Sequence, residues 1–328
     1  MRQVNLKSPG GVDMLTIGSA PMPEPGPSEV RIRVAAAGVN RADIAQRQGR
    51  YPPPAGASPV LGLEVCGHVD AVGSDVRTLQ PGAAVCSLTA GGGYAEYVCV
   101  PASHCLPVPR GYTLEQAAAL PEVAMTVWSN LMGHGRLQAG ERVLIHGGTS
   151  GIGAFAISLL TARGHPTIAT AGSRDKCDAV QSWGAAAVNY RDTDFVDAVL
   201  AWSDKQGVDV VLDMVGGSYV NRNLRCLARG GRVVQIAFLQ GQTAELDLIE
   251  IARREAILTG SLLRPRTVDD KARIVDALRQ EVWPMLDDRR MDLPVIDGIY
   301  PMDAVADAHT RMESGAHIGK LVLRWAAA

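Results

Sequence analysis

Short apolar runs broken by glycine and proline dominate the first third of the chain. Val30 to Ala37, Val60 to Val72, Ala83 to Leu88 and Tyr94 to Val100 read as strands. Between them stand Pro25-Gly26-Pro27, Pro52-Pro53-Pro54 and Pro81-Gly82, whose restricted or unusual φ values stop a helix. An all-β region is predicted here. The pattern changes near Thr113, where Thr113-x-x-Gln116 has the form of a capping box and opens an Ala-rich helical stretch. From Arg142 onward, strand candidates at Arg142 to His146, Thr167 to Thr170, Val208 to Leu212, Arg232 to Phe238 and Ala256 to Leu262 alternate with amphipathic periods such as Ala154 to Arg163. Such alternation predicts right-handed βαβ units: an α/β, doubly wound parallel sheet over residues 124–264. A helix over Val268 to Val282 and a strand over Gly319 to Arg324 then return the chain, so that 1–123 and 265–328 form the other domain.

Composition narrows the class. A length of 328 residues suits two domains, and 47% apolar with 20% charged residues is ordinary for a compact globular chain. With a net charge of −2 and no basic stripe, nucleic acid is excluded as a main partner. Met1 to Lys7 lacks the apolar core of a secretory signal, and no run reaches the ~20 apolar residues of a membrane span, so a cytosolic (cytoplasmic) protein is expected. Six cysteines, none in a C-x-x-C pair, read as reduced thiols.

Candidate chemistry starts at Gly147-Gly148-Thr149-Ser150-Gly151-Ile152-Gly153, between the first strand and first helix of the doubly wound domain. Backbone amides at a helix N-terminus hold a pyrophosphate where glycines allow close approach, which makes Gly148 through Gly153 the predicted dinucleotide site. The same segment has the Gly-x-x-x-Gly-x-Gly form of short-chain dehydrogenases, but no tyrosine here has a lysine four residues on, and the turn lies in mid-chain. The next strand ends in Thr170-Ala171-Gly172-Ser173, without the carboxylate that NAD enzymes place on the ribose 2′-hydroxyl. NADPH is therefore expected, with Gly172 leaving space, Ser173 donating a hydrogen bond and Lys176 supplying a cation. Asp175 has the look of an NAD-type acid displaced by a few residues, but is placed instead in the first turn of the following helix, where the dipole favours a carboxylate and the side chain faces water.

Taken together, Asn40-Arg41-Ala42-Asp43, Gln48-Gly49-Arg50-Tyr51, Leu61-Gly62-Leu63-Glu64-x-x-Gly67, Gly91 to Tyr97, Gly216-Gly217 and Ile318-Gly319-Lys320 resemble the medium-chain dehydrogenase/reductase superfamily along nearly the whole chain. Gln48 to Ser58 and Ser261 to Arg264 are most similar to its zinc-free quinone oxidoreductase, zeta-crystallin-like branch, the group of the tumour-suppressor-inducible quinone oxidoreductase and its bacterial relatives. The resemblance implies a GroES-like β-rich catalytic domain beside the Rossmann domain. Zinc relatives use a cysteine near the position of Asn40 and a histidine in a Gly-His-Glu segment; here stand Asn40 and Leu63, and no four-cysteine lobe lies between Cys86 and Cys105. Cys66 and His68 share a strand face, but two ligands at that spacing are more often core packing. No metal is expected.

By the same resemblance Asn40 and Tyr51 lie near the nicotinamide, Thr126 contacts its amide, Tyr190 adds a phosphate contact, and Phe238 and Leu263 flank the cofactor. Each has a structural alternative: Tyr51 as an aromatic lid, Asn40 as a turn cap, Thr126 bonded back to its own helix. The implied activity is zinc-independent transfer of hydride or electrons from NADPH to a quinone; enoyl or enone reduction and low-turnover, crystallin-like NADPH binding are the alternatives. The uncharged apolar run Ala256 to Leu263, read as a final edge strand, predicts a homodimer.

Overall fold

The computed structural model describes residues 1–292 and 294–326. Two compact units partition the chain: residues 1–125 with 264–328, and residues 126–263. In chain order the first unit contributes β1 (Arg2–Leu6), β2 (Leu15–Ser19), β3 (Glu29–Val39), α1 (Arg41–Arg47), β4 (Glu64–Val72), β5 (Ala84–Leu88), β6 (Tyr97–Pro101), β7 (Cys105–Pro107) and α2 (Leu114–Ala118). Helix α3 (Pro121–Trp128) carries the chain into the second unit, which contains β8 (Val143–Ile145), α4 (Gly151–Ala162), β9 (Thr167–Ala171), α5 (Arg174–Ser182), β10 (Ala186–Asn189), α6 (Phe195–Trp202), β11 (Val208–Asp213), α7 (Tyr219–Cys226), β12 (Leu227–Gln235), α8 (Leu248–Arg254) and β13 (Ile257–Gly260). The first unit is completed by α9 (Val268–Glu281), α10 (Trp283–Asp287), β14 (Ile296–Pro301), α11 (Val305–Ser314) and β15 (Lys320–Arg324).

Alternation builds the first unit. In β3, Val30, Ile32 and Val34 are buried while Arg31 and Arg33 point away, the period-2 pattern of a sheet with one face on a core. Its sheet runs β14-β15-β3-β4-β5-β7, with β6 also paired to β3. Residues 60–63, expected as strand, form a turn instead: Gly62 sits at φ +99°, and a Cβ there would lie 2.6 Å from the backbone nitrogen of Tyr94. Strand β6 likewise starts at Tyr97 rather than Tyr94, because the Tyr94 amide bonds Leu61 O.

The second unit is a parallel sheet of order β10-β9-β8-β11-β12-β13. Every residue of β8 and β9 is buried, as expected of central strands covered on both faces. Helix α4 buries Ala154, Phe155, Ala156, Ile157, Leu159 and Leu160 and carries no charge. Strand β12 begins five residues earlier than expected and ends at Gln235, leaving Phe238 in the following loop. No helix among the described residues is long and apolar enough to cross a membrane.

Candidate active site

In the second unit, β8 leads into a turn that only glycines can make. Gly147 has φ +68°, a Cβ on Gly148 would lie 2.8 Å from the Ala169 Cβ, and one on Gly153 would lie 2.3 Å from Gly147 O. Ser150 caps α4: its Oγ accepts from the Gly153 amide at 3.0 Å and donates to Gly147 O at 2.8 Å. The first amides of a twelve-residue helix thus stand behind a tight turn at the carboxyl edge of a parallel sheet, the arrangement that holds a pyrophosphate.

Strand β9 ends at Ala171, and Gly172 follows beneath Tyr190, whose Oη would lie 2.6 Å from any Cβ there. Ser173 caps α5 by accepting from the Lys176 amide, and Asp175 falls in the first turn of that helix. Gly172, Ser173 and Tyr190 are therefore brought together, with Lys176 one turn into α5. Phe238 is exposed and lines a groove of about 450 Å³ with Gln235 and residues 258–262, whereas Leu263 is buried three residues beyond β13.

Thr126 is buried in α3, and a π-helical turn over Ser129–His134 follows. Such wide turns leave carbonyls without their usual partner. Here Thr126 O accepts instead from Asn130 Nδ2 at 2.9 Å and Ser129 Oγ at 3.3 Å. Its hydroxyl makes no hydrogen bond among the described residues.

In the first unit Asn40 opens α1, and its amide is committed at both ends. Nδ2 donates to Glu64 Oε1 at 2.9 Å, and Oδ1 accepts from Lys320 Nζ at 2.7 Å. Lys320 also bonds Glu64 Oε1, while Glu64 Oε2 accepts the Glu122 amide at 2.9 Å, so the fully buried Glu64 carboxylate is satisfied. Asp43 accepts from the Asn40 and Gly62 amides at 2.8 and 3.0 Å. Burial still pushes its carboxyl up to about 6.

Tyr51 is half-buried, with the Arg264 guanidinium 5.3 Å from its ring centroid. Arg264 is itself anchored on Ala90 O and Gln46 Oε1. Burial, then the nearby Glu122 charge, raise the Tyr51 phenol above its ordinary value, and Arg264 opposes them. Glu122 keeps part of its surface open, yet its carboxyl lies deep among protein atoms and makes no hydrogen bond or ion pair among the described residues. Burial and the Glu64 charge push it up to about 7.

Glu64, Lys320, Glu122, Asp43 and Arg264 were not among the residues assigned a role from sequence. The signal was a charge inside an apolar strand pattern: Glu64 opens β4 and Lys320 opens β15, both buried. Two opposite charges at such positions need each other, because neither can be left unpaired in a core.

Residues 26–110 match the alcohol dehydrogenase GroES-like domain family, and residues 183–323 match the zinc-binding dehydrogenase family. The human synaptic vesicle membrane protein VAT-1 homolog is 31% identical over 333 residues, covering 96% of this chain and 84% of that protein. The chain belongs to the medium-chain dehydrogenase/reductase superfamily. Both family models that match this medium-chain dehydrogenase/reductase are named for dehydrogenases. It is 32% identical over 328 residues to a phenolphthiocerol/phthiocerol polyketide synthase of Mycobacterium tuberculosis, but spans only 15% of that protein's length. Among solved structures, Escherichia coli quinone oxidoreductase complexed with NADPH superposes with a TM-score of 0.89 at 26% identity, over 99% of this chain and 100% of that one. CurK enoyl reductase gives 0.87 at 26% identity over 99% of each chain.

Zinc, which the name of one matching family implies, does not fit the residues present. Asn40 spends its oxygen on an ammonium, Leu63 is apolar, and among the described residues no three His, Cys, Asp or Glu groups converge.

Proposed function

We propose that this medium-chain dehydrogenase/reductase is a zinc-independent NADPH:quinone oxidoreductase of the zeta-crystallin-like branch. The observation that carries the reading is the Asn40–Glu64–Lys320 cluster: a fixed ammonium and a carboxylate engage both ends of the Asn40 amide, at the position where, by the family resemblance, metal-dependent relatives carry a cysteine ligand. Support for NADPH comes from the superposable quinone oxidoreductase that holds it and from this chain's own turns. Amides from Gly148, Thr149, Ser150, Gly151, Ile152 and Gly153 take the pyrophosphate. Gly172, Ser173, Lys176 and Tyr190 take the 2′-phosphate, and the Thr126 hydroxyl, Phe238 and Leu263 serve the nicotinamide half.

When bound, the cofactor supplies a hydride to an electron-poor acceptor. Tyr51, kept protonated by burial, donates a hydrogen bond to the acceptor oxygen as negative charge grows there. Arg264 fixes the tyrosine ring. Glu122 holds the proton that the reduced acceptor needs, and Asn40, braced by Glu64 and Lys320, keeps the floor of the site rigid.

A second reading, reduction of an enone or 2-enoyl thioester, is favoured by the likeness to CurK enoyl reductase and to the polyketide synthase. A panel of ortho-quinones, para-quinones, enones and enoyl thioesters with NADPH separates the two. The first predicts kcat/KM for quinones at least about tenfold above that for thioesters, a gap of ~1.4 kcal/mol in transition-state binding. The reverse order would move the assignment to enoyl reduction. NADPH binding without turnover on any acceptor would overturn both.

A further inference from the structure

A fully buried polar chain runs beneath the carboxyl edge of the parallel sheet, where the strand order reverses between β8 and β11. That reversal is the crevice in which open α/β sheets bind their ligands. His146, directly after β8, has its Nδ1 3.0 Å from Thr170 Oγ1 and its Nε2 2.7 Å from Asn223 Oδ1. Asn223 Nδ2 donates to Asp213 Oδ2 at 2.8 Å. Asp213 Oδ1 then accepts the Val215 and Gly216 amides at 2.6 and 3.2 Å. At the other end, the Gly147 amide donates to Thr170 Oγ1 at 3.4 Å. Thr170 is 2% exposed and the other three side chains 0%.

Proton positions follow from the carboxylate. Asp213 can only accept, so Asn223 turns its NH2 toward it and its oxygen toward His146. Nε2 must then carry the imidazole proton and Nδ1 must accept, so the Thr170 hydroxyl donates to Nδ1 and offers its lone pair to Gly147 N–H. Phe195 and Tyr219 hold the ring edge-on at centroid distances of 4.9 and 5.0 Å, which denies it rotation. Burial lowers the His146 basicity, consistent with a neutral ring.

The two ends of this chain are the two glycine turns at the crevice. One is Gly147-Gly148; the other is Gly216-Gly217, with φ of +69° and +54° and no room for a Cβ beside Gly241 O and Gln240 O. Stability alone gives no reason to bury four polar side chains here, since well-packed apolar substitutes are often neutral or stabilising. We propose that Thr170, His146, Asn223 and Asp213 are positioning residues that fix the spacing of the two glycine turns and thereby set the affinity for a whole dinucleotide laid across the crevice. This rests on the reading that the second unit binds NADPH.

The test compares NADPH with adenosine 2′,5′-bisphosphate, which is too short to span both turns. Thr170→Val removes the hydroxyl at nearly constant volume, and Thr170→Ser restores it. Dissociation constants for both ligands and the melting temperature are measured on the full chain. The brace predicts that Thr170→Val weakens NADPH by about tenfold, changes the bisphosphate by less than about twofold, and that Thr170→Ser restores tight NADPH binding. Equal losses for the two ligands, or a lowered melting temperature with NADPH affinity intact, would overturn it. Should Thr170→Val not fold, imidazole ¹⁵N shifts of the wild type decide: an Nε2–H tautomer that does not titrate between about pH 5 and 9 is expected, and a titrating or Nδ1–H ring contradicts the brace. A wild type with no measurable NADPH binding would instead sink the underlying reading.

Discussion

Lys176 and Asp175 adjoin in sequence but face opposite demands at the start of α5. A carboxylate in the first turn is stabilised by the helix dipole without touching a ligand, whereas a lysine that pairs with a 2′-phosphate, the role proposed for Lys176, gains a charge-assisted bond of ~1.5–3 kcal/mol. Lys176→Ala should therefore weaken NADPH by roughly tenfold to a hundredfold and leave NADH almost unchanged, as read from paired dissociation constants. Equal losses would mean that Lys176 does not read the phosphate. Glu122 gives a second residue-scale expectation. Its folded value of about 7 exceeds the ordinary 4.5, so the folded chain holds this proton more tightly than the unfolded one. That contribution is complete below pH 4.5 and lost as pH rises toward 7. Glu122→Gln, which cannot ionise, should be more stable than wild type at pH 8 by an order of 1–3 kcal/mol and gain little at pH 4.5, as measured by urea unfolding. An equal difference at both pH values would show that the carboxyl is not perturbed.

Elements were legible where a local signal and the tertiary demand agree. The Thr113-x-x-Gln116 box does cap α2, with both reciprocal bonds formed, and the strand candidates at Arg142 to His146, Thr167 to Thr170 and Val208 to Leu212 became β8, β9 and β11, buried throughout except at Asp209. Strands with one buried position were not: in Arg2–Leu6 only Val4 is fully buried, and besides its hairpin with β2 the strand is held by distant residues, the Val4 amide donating to Tyr94 O and the Glu96 amide to Arg2 O. The site divides the same way. The glycine turn is local and readable, whereas Glu64 and Lys320 meet across 256 positions through the β3–β4 and β3–β15 pairings. Gly153 tests the element-scale account, because a Cβ there meets only backbone, Gly147 O and Gly148 O, which cannot move aside. Gly153→Ala should lower the melting temperature and abolish tight NADPH binding. Unchanged binding would show that the turn does not cradle the pyrophosphate.

At the scale of the whole molecule, the outer edge of β13 is unpaired among the described residues, and Ile257, Leu258 and Leu262 around it are 48%, 38% and 47% exposed. An edge of that kind invites a second copy, because open backbone groups and apolar side chains are satisfied together. The expected state is a homodimer, and Leu258→Arg should shift light scattering at micromolar concentration toward the 34.7 kDa monomer. A wild type already monomeric there would refute it. The central claim concerns chemistry without a metal, and one measurement bears on it most directly. Protein dialysed against a strong chelator is analysed for zinc and then assayed for NADPH oxidation by an ortho-quinone. Metal far below one atom per chain with undiminished kcat/KM is the predicted result; activity that disappears on chelation and returns only with added zinc would contradict the account.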